Sequence, residues 1–233
     1  MLYGGNRLQP FAGNFVSTES FLSFAPMIQP DTDTSLRIRD AAHALFMQYG
    51  LKSVSMDDIS ARLGVSKKTL YKHFSDKESL VEAVVLAIIQ KNEARCEADK
   101  KISANAIHAI FLAMNMMEEL FQHMNPSVLF DLMKYYPKAY QVFYKHKNQY
   151  LVPIYTENFQ RGIQEGLYRS DIRIDIMARF RVESVLIPFQ PEFQQSVKTS
   201  LTEAAAELSV HFLYGIVTPK GYKLIEKYIE QKK

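Results

Sequence analysis

The sequence is poor in several residue types that mark other classes of protein. Cys96 is the only cysteine, so no disulfide can form within the chain, and tryptophan is absent. Nine glycines and nine prolines are scattered over 233 residues, which is too few for a fold of many short strands and turns. No stretch approaches the roughly 18 consecutive apolar residues of a membrane-spanning helix. The histidines stand singly and no Gly-rich phosphate loop is present, so we expect no metal site and no cofactor.

What is present is the composition of a helical, globular protein. Hydrophobic residues make up 47% of the chain and charged residues 23%, which allows a sizeable core. Leu, Ala, Lys, Glu and Met dominate long stretches, and this predicts an all-α fold. The length suits two domains, and the net charge of +3 permits nucleic-acid binding without indicating it. We expect a soluble, cytoplasmic protein.

Residues 1–34 differ in character from the rest of the chain. They contain Gly4, Gly5 and several prolines among scattered apolar residues, and they lack the basic start and continuous apolar core of a secretory signal. We predict a poorly ordered tail over this range, with Met27 as an alternative start of translation. A small domain over residues 35–82 and a larger one over residues 83–233 are predicted to follow.

The small domain opens with strong helical periodicity. Apolar residues recur on one helix face from Ile38 to Tyr49, and Gly50 follows as a left-handed C-cap. Ser55 then stands before an acidic first turn, an N-cap arrangement that the helix dipole favours. A second helix is predicted from here to about Leu63.

A short basic helix is predicted after a glycine turn. Gly64 ends the second helix, and Ser66 caps a third from Lys67 to Phe74, with Leu70 facing inward. Residues 60–74 contain no acidic residue but four cations, namely Arg62, Lys67, Lys68 and Lys72. Helix, tight turn and helix form the helix-turn-helix plan, whose exposed second helix suits the major groove of DNA. From charge alone, a solvated basic face on an ordinary helical hairpin is an equal alternative.

The turn chemistry favours the first interpretation. Residues 55–80, SMDDISARLGVSKKTLYKHFSDKESL, resemble the DNA-binding domain of the TetR/AcrR family of transcriptional regulators. The similarity covers about Ser35 to Val85 and includes the Gly-Val-Ser, Leu-Tyr, His-Phe and Lys-Glu-x-Leu elements in order and spacing. It implies a homodimeric, ligand-responsive repressor that binds an inverted-repeat operator in double-stranded DNA.

The resemblance also implies which residues contact DNA. The recognition helix would comprise Ser66, Lys67, Lys68, Thr69, Tyr71, Lys72 and His73. Ser55 would hold a phosphate at the start of the second helix, and Lys77 another at the start of the fourth. The chain departs from the family pattern at Ser55, where Thr is frequent, at Ser60, where Ala usually packs, and at Lys68, where Gly is common. Because Lys68 adds a long cationic side chain close to the DNA, the operator sequence of a relative cannot be transferred to this chain.

The larger domain is predicted as a helical bundle. Ser75 or Asp76 caps a fourth helix that links the two domains, and an apolar helix over residues 106–124 lies at the centre of the bundle. A long helical stretch over residues 138–164 is interrupted at Pro153, whose missing N–H kinks the helix.

Two later helices are candidates for the dimer interface. One is predicted from Asp175 to Phe189, and the next begins at a capping-box pattern from Ser200 to Glu203. By resemblance they would form a four-helix bundle with their copies in a partner chain. The alternative is that both helices complete the core of a monomer.

A regulator needs a signal, and the larger domain is rich in side chains that could line an adaptable apolar pocket for a small effector. The chain holds thirteen Tyr, fifteen Phe and ten Met residues. The candidate ligand-binding residues are Phe111, Met114, Tyr150 and Phe180. For each of them a role in core packing is the commoner outcome.

Two other classes of function compete with a regulator. An all-α enzyme could use His108 or His123, but no nucleophile and base stand in a recognisable motif, so we expect no catalytic activity. A protein-interaction module could present the basic helix to an acidic partner. Salt-dependent affinity for duplex DNA separates this module from a regulator, because binding a duplex releases counterions.

Overall fold

The computed structural model describes residues 33–232, and within this range the chain forms twelve α-helices. They are α1 (Asp33–Tyr49), α2 (Met56–Leu63), α3 (Lys67–His73), α4 (Lys77–Ile102), α5 (Ala106–Phe121), α6 (Ser127–Tyr135), α7 (Pro137–His146), α8 (Val152–Gln164), α9 (Ile174–Ser184), α10 (Pro191–Ser196), α11 (Leu201–Ile216) and α12 (Pro219–Lys232). The range holds no β-strand, only an isolated bridge between Tyr168 and Val217. The prediction of an all-α fold is confirmed.

The predicted tail over residues 1–34 lies outside the described residues except for its last two, which belong to α1. The alternative start at Met27 lies outside them as well. Across residues 33–232, no helix combines the length and the apolar character needed to cross a bilayer.

Helices α1 to α3, which we call the head, follow the sequence prediction closely. Gly50 and Gly64 have φ values of +86° and +66°, the left-handed conformation that ends α1 and α2. Ile38, Phe46 and Leu70 bury their side chains fully in the middle of the head. Each such side chain contributes about 1.5–3 kcal/mol by leaving water, which holds three short helices together.

Helix α4 links the head to the remaining helices, α5 to α12, which we call the body. Asp76 is its N-cap, and Oδ1 of Asp76 accepts a hydrogen bond from the Ser79 amide at 2.7 Å. Of the two predicted caps, Asp76 is therefore the one that forms. The 26 residues of α4 reach from the head core to Ile102, a span of about 39 Å at the usual rise of a helix.

The predicted interruption at Pro153 takes the form of a π-helical turn, Lys147–Leu151, between α7 and α8. The Val152 amide donates to the Lys147 carbonyl, five residues earlier. Because Pro153 has no N–H, the wider turn lets the helix continue with one donor fewer. Helix α8 ends at Gln164, where the sequence predicted the end of this helical stretch, and Gly166 follows with a φ of +68°.

The prediction of one helix from Asp175 to Phe189 is wrong. Helix α9 ends at Ser184, and Ile187–Phe189 form a separate 3-10 turn around Pro188, which cannot donate to a continuing helix. The short α10 was not predicted. The capping box at the start of α11 is half formed: Ser200 Oγ accepts from the Glu203 amide at 3.1 Å, whereas the Glu203 carboxylate accepts from Thr199 Oγ1 at 2.6 Å.

Helix α6 fastens the body to the head. Its residues Val128 and Leu132 are buried in the same apolar cluster as the head core, which extends on to Ala139 of α7. Three hydrogen bonds cross this junction: Asn125 N to Met47 O at 2.6 Å, Lys52 N to Asp131 Oδ2 at 2.9 Å, and Tyr136 Oη to Leu51 O at 3.3 Å. The head is thus held by α6 as well as by α4.

Candidate nucleic-acid interface and internal cavity

Helix α3 is anchored on its inner side and open on its outer side. Leu70 is fully buried and Phe74, just after the helix, is nearly so. Lys68, Tyr71 and Lys72 are exposed, Tyr71 by 48% of its surface. Their spacing of three and four residues places these three side chains on one face of the helix. The structure therefore brings the central part of the predicted recognition residues onto one solvent-facing surface.

The other predicted residues of α3 hold the helix in shape. Ser66 Oγ accepts a hydrogen bond from the Thr69 amide at 3.1 Å and lies 2.9 Å from Thr69 Oγ1. Thr69 and His73 are half-buried. Ser66 and Thr69 therefore define where α3 starts, and this start fixes which side chains of α3 face solvent.

Lys67 pairs with α2 across the turn. Its Nζ lies 2.7 Å from Asp57 Oδ2, and this hydrogen bond raises the pKa of Lys67. Both side chains are exposed, and exposed ion pairs contribute little net free energy. A phosphate can therefore compete with Asp57 for this lysine.

Ser55 caps α2 in a complete capping box. Its Oγ accepts from the Asp58 amide at 3.2 Å and donates to Asp58 Oδ2 at 2.6 Å, while the Ser55 amide donates to the same carboxylate at 2.8 Å. These hydrogen bonds from Ser55 lower the pKa of Asp58. The hydroxyl is exposed, yet its hydrogen points to Asp58, so the phosphate contact assigned to Ser55 stays a prediction.

The Lys77 side chain does not lie on the outer face of the head. Its Nζ donates to the Lys52 carbonyl at 3.3 Å and lies 5.9 Å and 5.5 Å from the ring centres of Phe46 and Tyr136. Burial lowers the pKa of Lys77. Because the aromatic faces attract the ammonium, this side chain lies at the junction between head and body, and the phosphate contact assigned to Lys77 stays a prediction.

A cavity of about 230 Å³ lies behind the head. Head residues Met47 and Leu51 form one wall, and α4 and α5 contribute further apolar side chains such as Ile88 and Leu120. A further wall is formed by α9 and the 3-10 turn that follows it, with Val182 among its residues. The cavity therefore touches both the head and a helix predicted to form the dimer interface.

None of the four predicted ligand residues lines this cavity. Phe111 and Met114 are buried in the body core, and Phe180 is 51% exposed on the surface. Tyr150 Oη donates to the Glu93 carbonyl at 3.2 Å instead. Other residues of the same helix α5, Met116, Met117 and Leu120, form the wall. The ligand role of the four residues stays a prediction; α5 is apolar on several faces, and composition does not tell which face borders a cavity.

The polar residues among those that line the cavity are Asn92, Cys96, His146 and Lys147. His146 Nδ1 lies 2.8 Å from Glu93 Oε1, and Lys147 Nζ lies 2.9 Å from Glu183 Oε1. Burial raises the pKa of the Cys96 thiol to about 11, so the thiol stays neutral near pH 7. The cavity thus offers a mainly apolar surface with a few hydrogen-bonding groups at one side.

Sequence reasoning missed two charged residues that the fold buries. Asp131 joins α6 to the head, and its position inside the apolar segment Val128-Leu-Phe-Asp-Leu-Met133 was a usable signal. Arg181 is fully buried in the body, three residues after the buried Ala178 on the inner face of α9. An arginine at a core position of an amphipathic helix could have been noticed in the same way.

Comparison with known proteins places the head in a known family. Residues 38–84 match the family model described as "Bacterial regulatory proteins, tetR family". The HTH-type transcriptional repressor KstR2 of Mycobacterium tuberculosis is 24% identical over 144 residues, covering 60% of this chain and 72% of that protein. The HTH-type transcriptional regulator YvaF of Bacillus subtilis is 31% identical over 105 residues, covering 45% and 55% respectively.

Solved structures share the architecture of both regions. A TetR-family regulator from Agrobacterium tumefaciens aligns with a TM-score of 0.66 at 18% identity, over 79% of this chain and 98% of that one. A gamma-butyrolactone receptor aligns with a TM-score of 0.59 at 22% identity, over 86% and 97%. The helix-turn-helix geometry, the match of residues 38–84 to the tetR family model and the regulators similar in sequence together support a DNA-binding transcriptional regulator whose head is similar to that of the TetR family.

Proposed function

We propose that the chain is a homodimeric repressor that binds an inverted-repeat operator through α3 and leaves it when a small apolar effector fills the internal cavity. The observation that carries this proposal is the position of the cavity between Met47 and Leu51 of the head and Val182 of α9. A ligand there contacts the DNA-binding unit and the predicted dimer helix at once. The proposal includes no catalytic step and no cofactor, and action on DNA implies a cytoplasmic location.

The face of α3 supports binding in the major groove. Lys68 and Lys72 are exposed cations, and the seven residues of α3 include no carboxylate that would repel a phosphate. Tyr71 adds a hydroxyl on the same face, which can donate to a phosphate or to a base edge. Phosphate contacts position a protein on the duplex, whereas base contacts select a sequence. We therefore assign phosphate binding mainly to the lysines and sequence selection to residues around Tyr71.

The surfaces of α9 and α11 support dimerisation. Ile176 and Phe180 of α9 are 49% and 51% exposed, an unusual state for two large apolar side chains on one helix. The ring centres of Phe180 and the buried Phe212 of α11 are 6.0 Å apart, so α9 packs against α11 directly beside this exposed face. A two-fold axis through it would present two α3 helices to successive turns of one duplex, which matches an inverted repeat.

The link between cavity and head supports release by an effector. The Asn125 amide, just before α6, donates to the Met47 carbonyl at 2.6 Å, and Met47 itself lines the cavity. A ligand that favours a different position of α1 or α6 shifts the orientation of the head, and thereby its affinity for DNA. The names of two similar proteins agree with a repressor that a small molecule releases from DNA: KstR2 is named a repressor, and the gamma-butyrolactone receptor is named for a small molecule.

Selection from random duplexes with the purified full chain tests the DNA-binding part. We expect an inverted repeat with half-sites about one or more helical turns apart. The affinity for the selected site should fall steeply with salt, because each neutralised phosphate releases counterions. Selection of asymmetric single sites only would contradict the dimeric mode. Absence of binding to any duplex at low ionic strength would overturn the whole proposal.

The dimer interface is tested by Phe180→Glu, which places a charge in the centre of the exposed apolar face. We expect sedimentation to show a monomer and the affinity for the selected operator to fall by about a hundredfold or more, since both half-sites then bind independently. Tyr144→Glu is the matched control, because Tyr144 of α7 is also large and 46% exposed. A dimeric Phe180→Glu protein would show that α9 is not the interface.

A further inference from the structure

Arg181 of α9 is a buried charge that has no hydrogen-bonding partner among residues 33–232. The residue has 0% exposure, and Nε, Nη1 and Nη2 are all buried without a hydrogen bond to any of the described residues. A guanidinium carries five N–H donors and cannot lose its proton in a protein. Leaving such a group unpaired in a core is costly, and structural arginines in cores are paired.

Two aromatic rings offset only part of this cost. The guanidinium carbon lies 5.5 Å from the ring centre of Tyr155 and 5.6 Å from that of Phe212. Cation–π contacts stabilise the charge over the ring faces but satisfy none of the N–H groups. The hydroxyl of nearby Tyr168 is already engaged, since it donates to Asn158 Oδ1 at 3.1 Å. The fold therefore holds Arg181 in place and leaves its hydrogen-bonding capacity unused.

The guanidinium lies just behind the wall of the internal cavity. Tyr155 lines the cavity and also contacts Arg181, and Val182, the next residue of α9, lines the cavity too. Arg181 itself is not among the residues that line the cavity, so its N–H groups can meet a molecule there only if Tyr155 moves. Tyr155 thus stands between the arginine and the ligand space.

The charges around the cavity favour an anion. No Asp or Glu side chain is among the residues that line it, whereas Lys147 is. Lys147 is already neutralised, because both carboxylate oxygens of Glu183 lie within 3.1 Å of its Nζ. Among residues 33–232, no carboxylate neutralises Arg181 in this way. A bound molecule can supply the matching group.

We propose that the effector is an elongated apolar molecule with one anionic group, such as a carboxylate, and that Arg181 binds this group after Tyr155 turns aside. The inference rests on the proposed role of the cavity as the effector site, and it adds the chemical class of the effector. The apolar part of the ligand fills the space between α4, α5 and α6, and its charged end is bound at α9. Binding of the anion at α9 also ties the ligand to the predicted dimer helix.

Matched probes with and without a charge test the proposal. Octanoate, decanoate and dodecanoate are titrated into the full chain in the absence of DNA by calorimetry, each against its primary alcohol. We expect at least one carboxylate to bind about tenfold more tightly than its alcohol, because a hydrogen-bonded charge pair in a dry site is worth that factor or more. Equal affinity within each pair, or no binding by any probe, would overturn the proposal.

Two substitutions separate the charge of Arg181 from its volume. Arg181→Met keeps an apolar side chain of similar length, and we expect it to abolish the preference for the carboxylate while the alcohol binds as before. Arg181→Lys should retain part of the preference. Arg179→Met is the control, since Arg179 is exposed on the same helix and bonds to Asn148, so the preference should persist. A preference that survives in Arg181→Met contradicts the assignment.

Stability and DNA binding are measured on the same samples. Because Arg181→Met replaces an unpaired buried charge by an apolar group, its melting temperature should stay equal to that of the wild type or rise. If Arg181→Met does not fold, the carboxylate preference of Arg181→Lys is compared with that of the wild type, and an equal preference would contradict the assignment. A wild-type chain that binds duplex DNA but shows no preference for the carboxylates over their alcohols would refute only this inference. A wild-type chain that binds the carboxylates but no duplex would refute the proposed function instead.

Discussion

The head and the body satisfy their polar groups in different ways. In the head the bonds that define the helices join residues three apart, as in the pairs Ser55 with Asp58 and Ser66 with Thr69. The body has such local caps too, as at Ser200 and Glu203, but it adds pairs far apart in sequence: Arg161 bonds to Ser103 over 58 residues and Lys147 to Glu183 over 36. The head can therefore keep one DNA-binding shape while the body varies. A site in the body exists only once distant helices have packed.

Helix α6 is where the two regions meet. It belongs to the body by position in the sequence, but its apolar side chains lie in the cluster of the head. Asp131 accepts from the Lys52 amide and from Ser127 Oγ, so a single buried carboxylate spans the two regions. Coupling between an effector and DNA needs such a shared element, which both sites can bias.

The largest expected effect is on the packing of the body. Gly162→Ala would place a Cβ 2.0 Å from Cδ2 of the buried Tyr168 ring, so the ring or α8 must move. We expect a loss of about 3 kcal/mol in the free energy of unfolding. Gly64→Ala in the head meets no atom within 4 Å and strains only a φ of +66°, which costs about 1 kcal/mol. Urea unfolding followed by circular dichroism compares the two, and a reversed order would contradict the contrast between body and head.

Removing a hydrogen bond at the junction between head and body should have the next largest effect on the free energy of unfolding. Asp131→Ala removes the acceptor of the Lys52 amide and is expected to cost about 2 kcal/mol of unfolding free energy, because a partly buried donor loses its partner. Asp57→Ala, at an exposed ion pair with Lys67, serves as the control and should cost less than about 0.5 kcal/mol. The ligand-induced change in DNA affinity should also shrink in Asp131→Ala. An unchanged response would show that α6 does not couple the regions.

A smaller effect is expected from removing a local cap in the head. Ser55→Ala should lower the unfolding free energy by about 1 kcal/mol. Since Ser55 lowers the pKa of Asp58 from its ordinary value of 3.8, the ionised carboxylate stabilises the fold above that pH, and the contribution is lost as the pH falls through the lowered pKa. The gap between wild type and variant, measured by urea unfolding at several pH values, should therefore narrow in acid. A gap that widens in acid would rule out this capping interaction.

The smallest effect on stability is expected on the outer face of α3. Lys72→Ala should change the unfolding free energy by no more than about 0.5 kcal/mol. It should weaken DNA binding and lower the slope of log affinity against log salt by about 1, as expected for one phosphate contact. Lys198→Ala, an exposed lysine of the body, should leave both quantities unchanged. An unaltered salt slope in Lys72→Ala would show that Lys72 does not contact a phosphate.

Much of the head was predictable because its determinants are local. Gly50, Ser55, Gly64 and Ser66 each act on residues within four positions, and all four end or begin a helix as predicted. The periodicity of α1 and the basic face of α3 are likewise properties of short segments. In the body the same rules gave most helices, but the helix predicted from Asp175 is shorter than expected, and the four predicted ligand residues do not line the cavity.

The sequence by itself determined the helices, the turn between α2 and α3, and the type of surface that α3 presents, because these depend on residues three or four positions apart. Only the tertiary structure decided that Lys77 contacts the junction, that Asp131 joins the head to α6, and that Arg181 is buried near a cavity with no hydrogen-bonding partner among the described residues. These outcomes depend on which faces of distant helices meet. Packing over the whole chain settles that, and no local pattern encodes it.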